Sequence, residues 1–173
     1  MTRVAITGME LITALGPTLA ATWPRLFAGE TGISRITYFD ASQYDCGLAA
    51  EVRDLEPGPS DHDRTILAES RRSVRLFMRA TRGAWRDAGL DVDPPRADRA
   101  GVAAGVSVNY LNMAMLRHHF KFRASGEPAI DLARFAREGG CEPPHLFRKR
   151  QGDVAATLPA RALGLMGPTM AID

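Results

Sequence analysis

Lysine and cysteine are scarce in this chain. Of its 22 basic residues only two are lysine and 20 are arginine. Its two cysteines, Cys46 and Cys141, are too few for a disulfide framework or a cysteine-rich zinc site. No apolar run approaches the roughly 20 residues that span a bilayer. The opening Met1-Thr2-Arg3-Val4-Ala5-Ile6-Thr7-Gly8 enters a strand-like segment with no apolar stretch of signal-peptide type. Neither charge sign dominates, since the net charge is +2 and the pI about 8.8. Glycine loops that cradle phosphate, of Walker or dinucleotide-binding form, are missing. The arginines come with no helix-turn-helix, zinc or RNP-type motif, so nucleic acid is not an expected partner. What is present is ordinary: 173 residues, 45% hydrophobic and 24% charged, with a mean hydropathy of -0.16. That composition predicts one compact, soluble domain of a reducing compartment, the cytoplasm, with no membrane, metal or cofactor requirement.

Short apolar segments alternate with helical ones. Val4-Ala5-Ile6-Thr7-Gly8 suits a buried strand stopped by glycine. A helix is predicted up to Ala28, with Gly29 beyond its end. Pro24 leaves two versions of it: a short helix capped by Thr22, or a longer one disturbed at the proline. Residues 30–63 read as irregular structure with short strands, Leu48-Ala49-Ala50-Glu51-Val52 among them. The strongest helix signal runs from about Ile66 to Ala88, where Val74, Phe77, Met78, Thr81, Ala84, Trp85 and Ala88 recur at steps of three and four. Arg71, Arg75, Arg79, Arg82 and Arg86 repeat at the same spacing on another face. Gly101 to Val108 is a second buried-strand candidate, Asp153 to Leu163 a helix despite Pro159, and Thr169-Met170-Ala171-Ile172-Asp173 a third apolar strand. Strands separated by helices make the class α/β.

In order, these segments resemble the N-terminal half of the β-ketoacyl-acyl-carrier-protein synthases, condensing enzymes of the thiolase fold. The resemblance rests on Ile6-Thr7-Gly8, Thr13, Leu15-Gly16, Trp23, Leu26, Gly29, Gly32-Ile33 and Phe39-Asp40. It continues through Asp87-Ala88-Gly89-Leu90, Ala97-Asp98-Arg99-Ala100-Gly101-Val102 and Gly105, then Gly164-Leu165, Gly167-Pro168 and Ala171-Ile172-Asp173. It covers essentially the whole chain. It implies a layered α-β-α-β-α fold of which residues 1–173 supply the N-terminal half.

In that family a cysteine nucleophile follows the strand ending at Ala171-Ile172-Asp173, at the N-terminus of a buried helix. There the helix dipole and free N–H groups lower the thiol pKa and stabilise an oxyanion. The two catalytic histidines and a lysine lie further on. Neither Cys46 nor Cys141 matches the nucleophile, and none of His62, His118, His119 and His145 matches the catalytic pair. No catalytic, cofactor-binding or metal-ligating residue is therefore assigned within the chain. A second polypeptide is expected to carry the C-terminal half, through a split gene, cleavage after Asp173 or division of one chain at a modified residue. The completed unit is expected to form a two-fold dimer.

Three functions follow from the resemblance. The first is a ketosynthase part, joining acyl thioesters in fatty-acid or polyketide-type biosynthesis. The second is a non-catalytic partner of chain-length-factor type, and the third an acyl transferase or hydrolase of the same fold. Departures from the family pattern bear on the choice. Glu10 stands where a glycine is usual, Val106-Ser107-Val108-Asn109-Tyr110 replaces a glycine-rich stretch, and Gly152-Asp153 replaces Pro-Asn; residues 111–150 are basic. These favour a specialised-metabolism relative or a partner subunit. Arg71, Arg75 and Arg79 could dock an acidic acyl-carrier protein, because arginine pairs well with carboxylate and phosphate; the alternative is a solvated helix face. His118-His119 reads as an exposed loop or interface, since adjacent residues diverge and no further ligand sits at metal spacing. Phe120, Phe122, Tyr110, Met113 and Met115 read as core or as the lining of an acyl tunnel or dimer contact. Cys141 reads as a passive loop thiol.

Overall fold

The computed structural model describes residues 3–53, 71–91, 93–106, 120–123, 130–139 and 151–172. The elements run α1 (Leu19–Phe27), β1 (Ile33–Arg35), β2 (Leu48–Ala50), α2 (Arg72–Asp87), a 3-10 turn (Ala97–Arg99), β3 (Val102–Gly105), α3 (Leu132–Glu138), α4 (Val154–Ala162) and β4 (Thr169–Ile172). The α/β class holds.

Three helices end in the same way. Gly29, Gly89 and Gly164 take φ of 71°, 72° and 67° just after α1, α2 and α4. After α2, Gly89 N donates to Arg86 O at 2.9 Å and Leu90 N to Trp85 O at 3.1 Å, so the left-handed residue satisfies carbonyls the helix leaves unpaired. At the start of α1, Thr18 is the cap, its hydroxyl accepting from Ala21 N at 3.2 Å. Of the two versions of this helix the longer one holds. Pro24 lies inside it, and Thr22 is a buried interior residue rather than a cap. The Thr22 hydroxyl donates to Gly16 O at 3.2 Å and lies 3.2 Å from the Thr13 hydroxyl. Thr13 and Gly16 also exchange backbone hydrogen bonds of 3.0 and 3.2 Å. The loop before α1 is thus closed on itself and on the helix.

Val4 to Gly8 is not a strand. The segment pairs with no described strand, and Val4 and Ile6 are 93% and 81% exposed. Apolar, β-branched composition favours a ladder without supplying the neighbouring edge that makes one. The segment is nevertheless placed by α2: Met9 N donates to the Asp87 carboxylate at 2.9 Å. A Cβ on Gly8 would stand 2.3 Å from Ala84 O, so backbone lies directly on that helix.

The central unit is a parallel pair, β3 and β4, in register Val102–Thr169, Ala103–Met170, Ala104–Ala171 and Gly105–Ile172. One face is covered by α4 and α2. Val74 of α2, Val102 and Ala104 of β3, and Ala155, Ala156 and Ala160 of α4 form one buried cluster. Phe77, Val154, Leu158 and Leu165 flank it. Alternation along β3 leaves Ala103 and Gly105 on the opposite, exposed face, with Met170 and Ile172 exposed on β4. A second sheet, the antiparallel pair β1–β2, aligns Ile33 with Ala50 and Arg35 with Leu48. The predicted helix of 66–88 is described from Arg72; residues 66–70 lie outside the described residues.

Candidate functional site

Two places in the fold bring together residues from distant parts of the chain. The first is the carboxyl end of the parallel pair, the usual place for ligands in an open α/β sheet. Here Val106 N donates to Ile172 O at 2.8 Å, extending the ladder one step past β3. The opposite, amino end of the pair is set by a close crossing between two segments far apart in sequence. Gly167 N donates to Ala100 O and Val102 N to Pro168 O, both at 3.0 Å, and Met166 N to Ala97 O at 2.8 Å. A Cβ on Gly101 would lie 2.0 Å from Pro168 O, and one on Gly167 2.4 Å from Ala100 O. The glycines quoted at 101 and 167 are therefore two sides of one contact. On the exposed face, a Cβ on Gly105 would meet nothing within 4 Å among the described residues.

The second place joins the β1–β2 hairpin to α2. Glu51 is buried, and its carboxylate accepts from Thr37 Oγ1 at 2.7 Å, Thr37 N at 2.8 Å and Tyr38 N at 3.2 Å. The Tyr38 hydroxyl donates to Val52 O at 2.6 Å. Arg72, at the start of α2, donates to Val52 O and, at 2.6 Å, to the Tyr38 hydroxyl. Its guanidinium also lies 4.8 Å from the Tyr38 ring centroid, a cation–π contact. Sequence reading names Glu51 only as part of a strand; its role depends on a partner 14 residues away.

The Thr37 hydroxyl, then the Thr37 N–H, hold the Glu51 carboxyl below its ordinary value of 4.5, against the opposing effect of burial. A carboxyl depressed in the folded state stabilises above its unfolded pKa, and that stability is lost as pH falls through the folded one. Hydrogen-exchange protection at the Tyr38 amide should therefore be full at neutral pH and fall on acidification below about 4.5. Glu51→Gln should lower the protection at neutral pH and remove that dependence. Equal protection in parent and variant across the range would rule this out.

The arginine stripe is not a solvated face. Arg71, Arg75, Arg79 and Arg82 are half-buried, and only Arg86 is exposed. Arg75 Nε is buried and has no hydrogen-bond partner among the described residues. The opposite flank is also occupied. Gly83 is buried, with the Glu10 side chain where a Cβ would sit, 2.4 Å from Glu10 Cγ. Glu10 Oε1 accepts from Leu11 N at 2.9 Å and from Leu19 N, the first residue of α1. The chain thus places a long acidic side chain on a glycine and uses it to fix the start of α1.

Of the aromatic candidates, Phe122 is buried, 5.3 Å edge-on from Phe135 and 5.6 Å from the Arg134 guanidinium, whereas Phe120 is exposed. Cys46 is an exposed free thiol. His62, Tyr110, Met113, Met115, His118, His119, Cys141, His145 and Asp173 lie outside the described residues. Among the described residues no three His, Cys, Asp or Glu side chains gather as a metal-ligand group, and no helix is long and apolar enough to cross a membrane.

Residues 1–173 match the family described as Beta-ketoacyl synthase, N-terminal domain. The 3-oxoacyl-[acyl-carrier-protein] synthase 2 of Coxiella burnetii is 38% identical over 106 residues, 61% of this chain and 25% of that protein. The putative polyketide beta-ketoacyl synthase 1 of Streptomyces halstedii is 29% identical over 171 residues, 99% of this chain and 39% of that protein. Among solved structures, the ishigamide ketosynthase/chain length factor superposes with a TM-score of 0.71 at 26% identity, over 96% of this chain and 38% of that chain. The chain spans well under half the length of these relatives. Its parallel pair, the helices on one face and the crossing at Gly101 and Gly167 occur in the order the resemblance implies. The chain belongs to the β-ketoacyl synthase family, as the N-terminal half of its thiolase-like fold.

Proposed function

We propose that residues 1–173 are the N-terminal part of a ketosynthase-like acyltransferase. It would form carbon–carbon bonds between acyl thioesters in fatty-acid or polyketide-type biosynthesis. The nucleophile and histidines belong to the rest of the fold, supplied outside this chain, and the completed unit pairs as a two-fold dimer. A nucleophilic thiol takes the acyl group from a carrier-protein or CoA thioester. A malonyl unit then loses CO2 and attacks that thioester, giving the β-keto product and freeing the thiol.

The observation that carries this reading is the parallel pair with a single covered face. Parallel strands are buried on both sides in complete α/β folds, yet Ala103, Gly105, Met170 and Ile172 face outward here. This fits a partial fold whose remaining layers cover the bare face.

The likeness to a ketosynthase/chain length factor structure favours a second reading, the non-catalytic partner. Glu10 and the replaced stretch after Gly105 point the same way. Condensation by the assembled protein separates the two, with the position that follows Asp173 in the nucleophile elbow varied. Loss of both the acyl-enzyme adduct and the β-keto product on replacing a Cys there supports catalysis. An assembled protein with no nucleophile there and no adduct belongs to the partner class.

Carrier-protein docking through Arg71, Arg75 and Arg79 is the finer part of the proposal. Charge reversal at Arg75 and Arg79 should weaken binding of an acidic carrier protein by roughly tenfold or more at low salt, an effect fading as salt rises. Unchanged affinity at low salt rejects docking there and leaves these half-buried arginines to packing.

A further inference from the structure

Helix α2 is the longest helix among the described residues, and its own sequence does little to support its start. The N-cap residue is Arg71, and an arginine side chain has no acceptor to offer the free N–H groups of a first turn. That turn, Arg72-Ser73-Val74-Arg75, holds two arginines and no carboxylate, so positive charge stands at the positive end of the helix dipole. Helices α1 and α3 differ. Thr18 caps the first by accepting from Ala21 N at 3.2 Å, and Asp131 caps the second by accepting from Arg134 N at 2.9 Å.

Support for the start of α2 comes instead from the β1–β2 hairpin. Arg72 donates to the Tyr38 hydroxyl at 2.6 Å and to Val52 O, and its guanidinium lies over the Tyr38 ring. Both of these residues are set by Glu51. Tyr38 N donates to the Glu51 carboxylate at 3.2 Å, beside the two donors of Thr37, and Val52 is the next residue along the chain. The Tyr38 hydroxyl closes the circuit by donating to Val52 O at 2.6 Å. Glu51 thus acts on the helix at one remove: it fixes the backbone of Tyr38, and the side chain of Tyr38 fixes Arg72.

We infer that Glu51, Tyr38 and Arg72 form a latch in which the ionised Glu51 carboxylate decides how firmly the first turn of α2 is held to the hairpin. That turn includes Val74, so the latch also bears on the cover of β3 and β4. Among the described residues, the charged and titratable groups around the carboxylate are Arg53, 3.5 Å from Glu51 Oε2, Tyr38 and, beyond Tyr38, Arg72. Asp40 belongs to a separate turn, where it accepts from Ser42 N at 3.0 Å. Arginine and tyrosine side chains do not titrate in the acid range, which leaves Glu51 as the group that works the latch. Because the Thr37 hydroxyl and N–H hold its carboxyl below 4.5, the latch is whole at neutral pH and opens on acidification below about 4.5.

Hydrogen exchange of the complete protein tests this at the Arg75 amide, which donates to Arg71 O at 3.1 Å in the first turn of α2. At neutral pH, Glu51→Gln should speed exchange there about tenfold, with the Arg82 amide in mid-helix as the reference. Tyr38→Leu leaves every charge and the backbone N–H in place but removes the ring and hydroxyl. It should have the same effect, and in that background Glu51→Gln should add about twofold or less. Tyr38→Phe, which keeps the ring, should recover part of the protection. Faster exchange at Tyr38 with parental exchange at Arg75 in Glu51→Gln overturns the latch and leaves Glu51 a local tie of the hairpin. Additive effects of the two substitutions overturn it as well. If Glu51→Gln does not fold, Tyr38→Leu decides: its Arg75 exchange should be fast and should no longer change on acidification beyond the intrinsic rate. Parental exchange in that variant, or a pH dependence that persists, overturns the inference.

Discussion

Gly101→Val should lower folding stability by roughly 3 kcal/mol or more, the largest single-residue effect expected in this chain. At this glycine a Cβ has no room to yield into: it would stand 2.0 Å from Pro168 O, a backbone atom. That carbonyl also accepts from Val102 N at 3.0 Å, so moving it breaks the first rung leading into the parallel pair. The partner glycine, Gly167, sits 2.4 Å from Ala100 O by the same measure, so the opposite segment cannot retreat either. Guanidinium unfolding of parent and variant measures the effect. The control is Gly47, where a Cβ meets nothing within 4 Å; Gly47→Ala should move the midpoint little. A Gly101→Val midpoint equal to the parent's would show that the crossing is looser than the geometry states.

Ala156→Leu should destabilise by about 2 to 3 kcal/mol. Ala156 is buried in the cluster formed with Val74, Val102, Ala104, Ala155 and Ala160. Small side chains on both α4 and β3 let the helix lie close to the strands, and three further carbons must push it away. Interiors are close-packed, so the displacement spreads to α2 through Val74. Ala20→Leu on the exposed side of α1 adds the same atoms where space is open and should be nearly neutral. Similar losses in both variants would indicate that leucine at these positions acts through something other than core volume.

The elements most legible beforehand were those whose signal is local. Gly29, Gly89 and Gly164 end helices because the chain must turn left-handed there, and glycine adopts that conformation without a Cβ penalty. The apolar stripe of α2 buries Val74 and Met78 because a period of three and four residues puts them on one side. Elsewhere local signals misled. Val4 to Gly8 has strand composition but pairs with no described strand. The arginines of α2 keep a separate face, as their spacing requires, yet Arg71, Arg75, Arg79 and Arg82 are half-buried. Glu51 gave no signal of its own, since a buried carboxylate is tolerated only where donors such as Thr37 and Tyr38 already stand.

Sequence alone determined the α/β class, the helix ends and membership of the condensing-enzyme family, because periodicity, glycine placement and ordered motifs are written along the chain. Tertiary structure decided which residues meet: Gly101 with Pro168, Glu10 with Gly83, Tyr38 with Arg72. It also decided which apolar side chains stay uncovered, those of α1 and of the outer face of β3 and β4. The reason is steric and electrostatic: close approach and charge burial depend on atoms brought together from distant parts of the chain, and only folding puts them within reach.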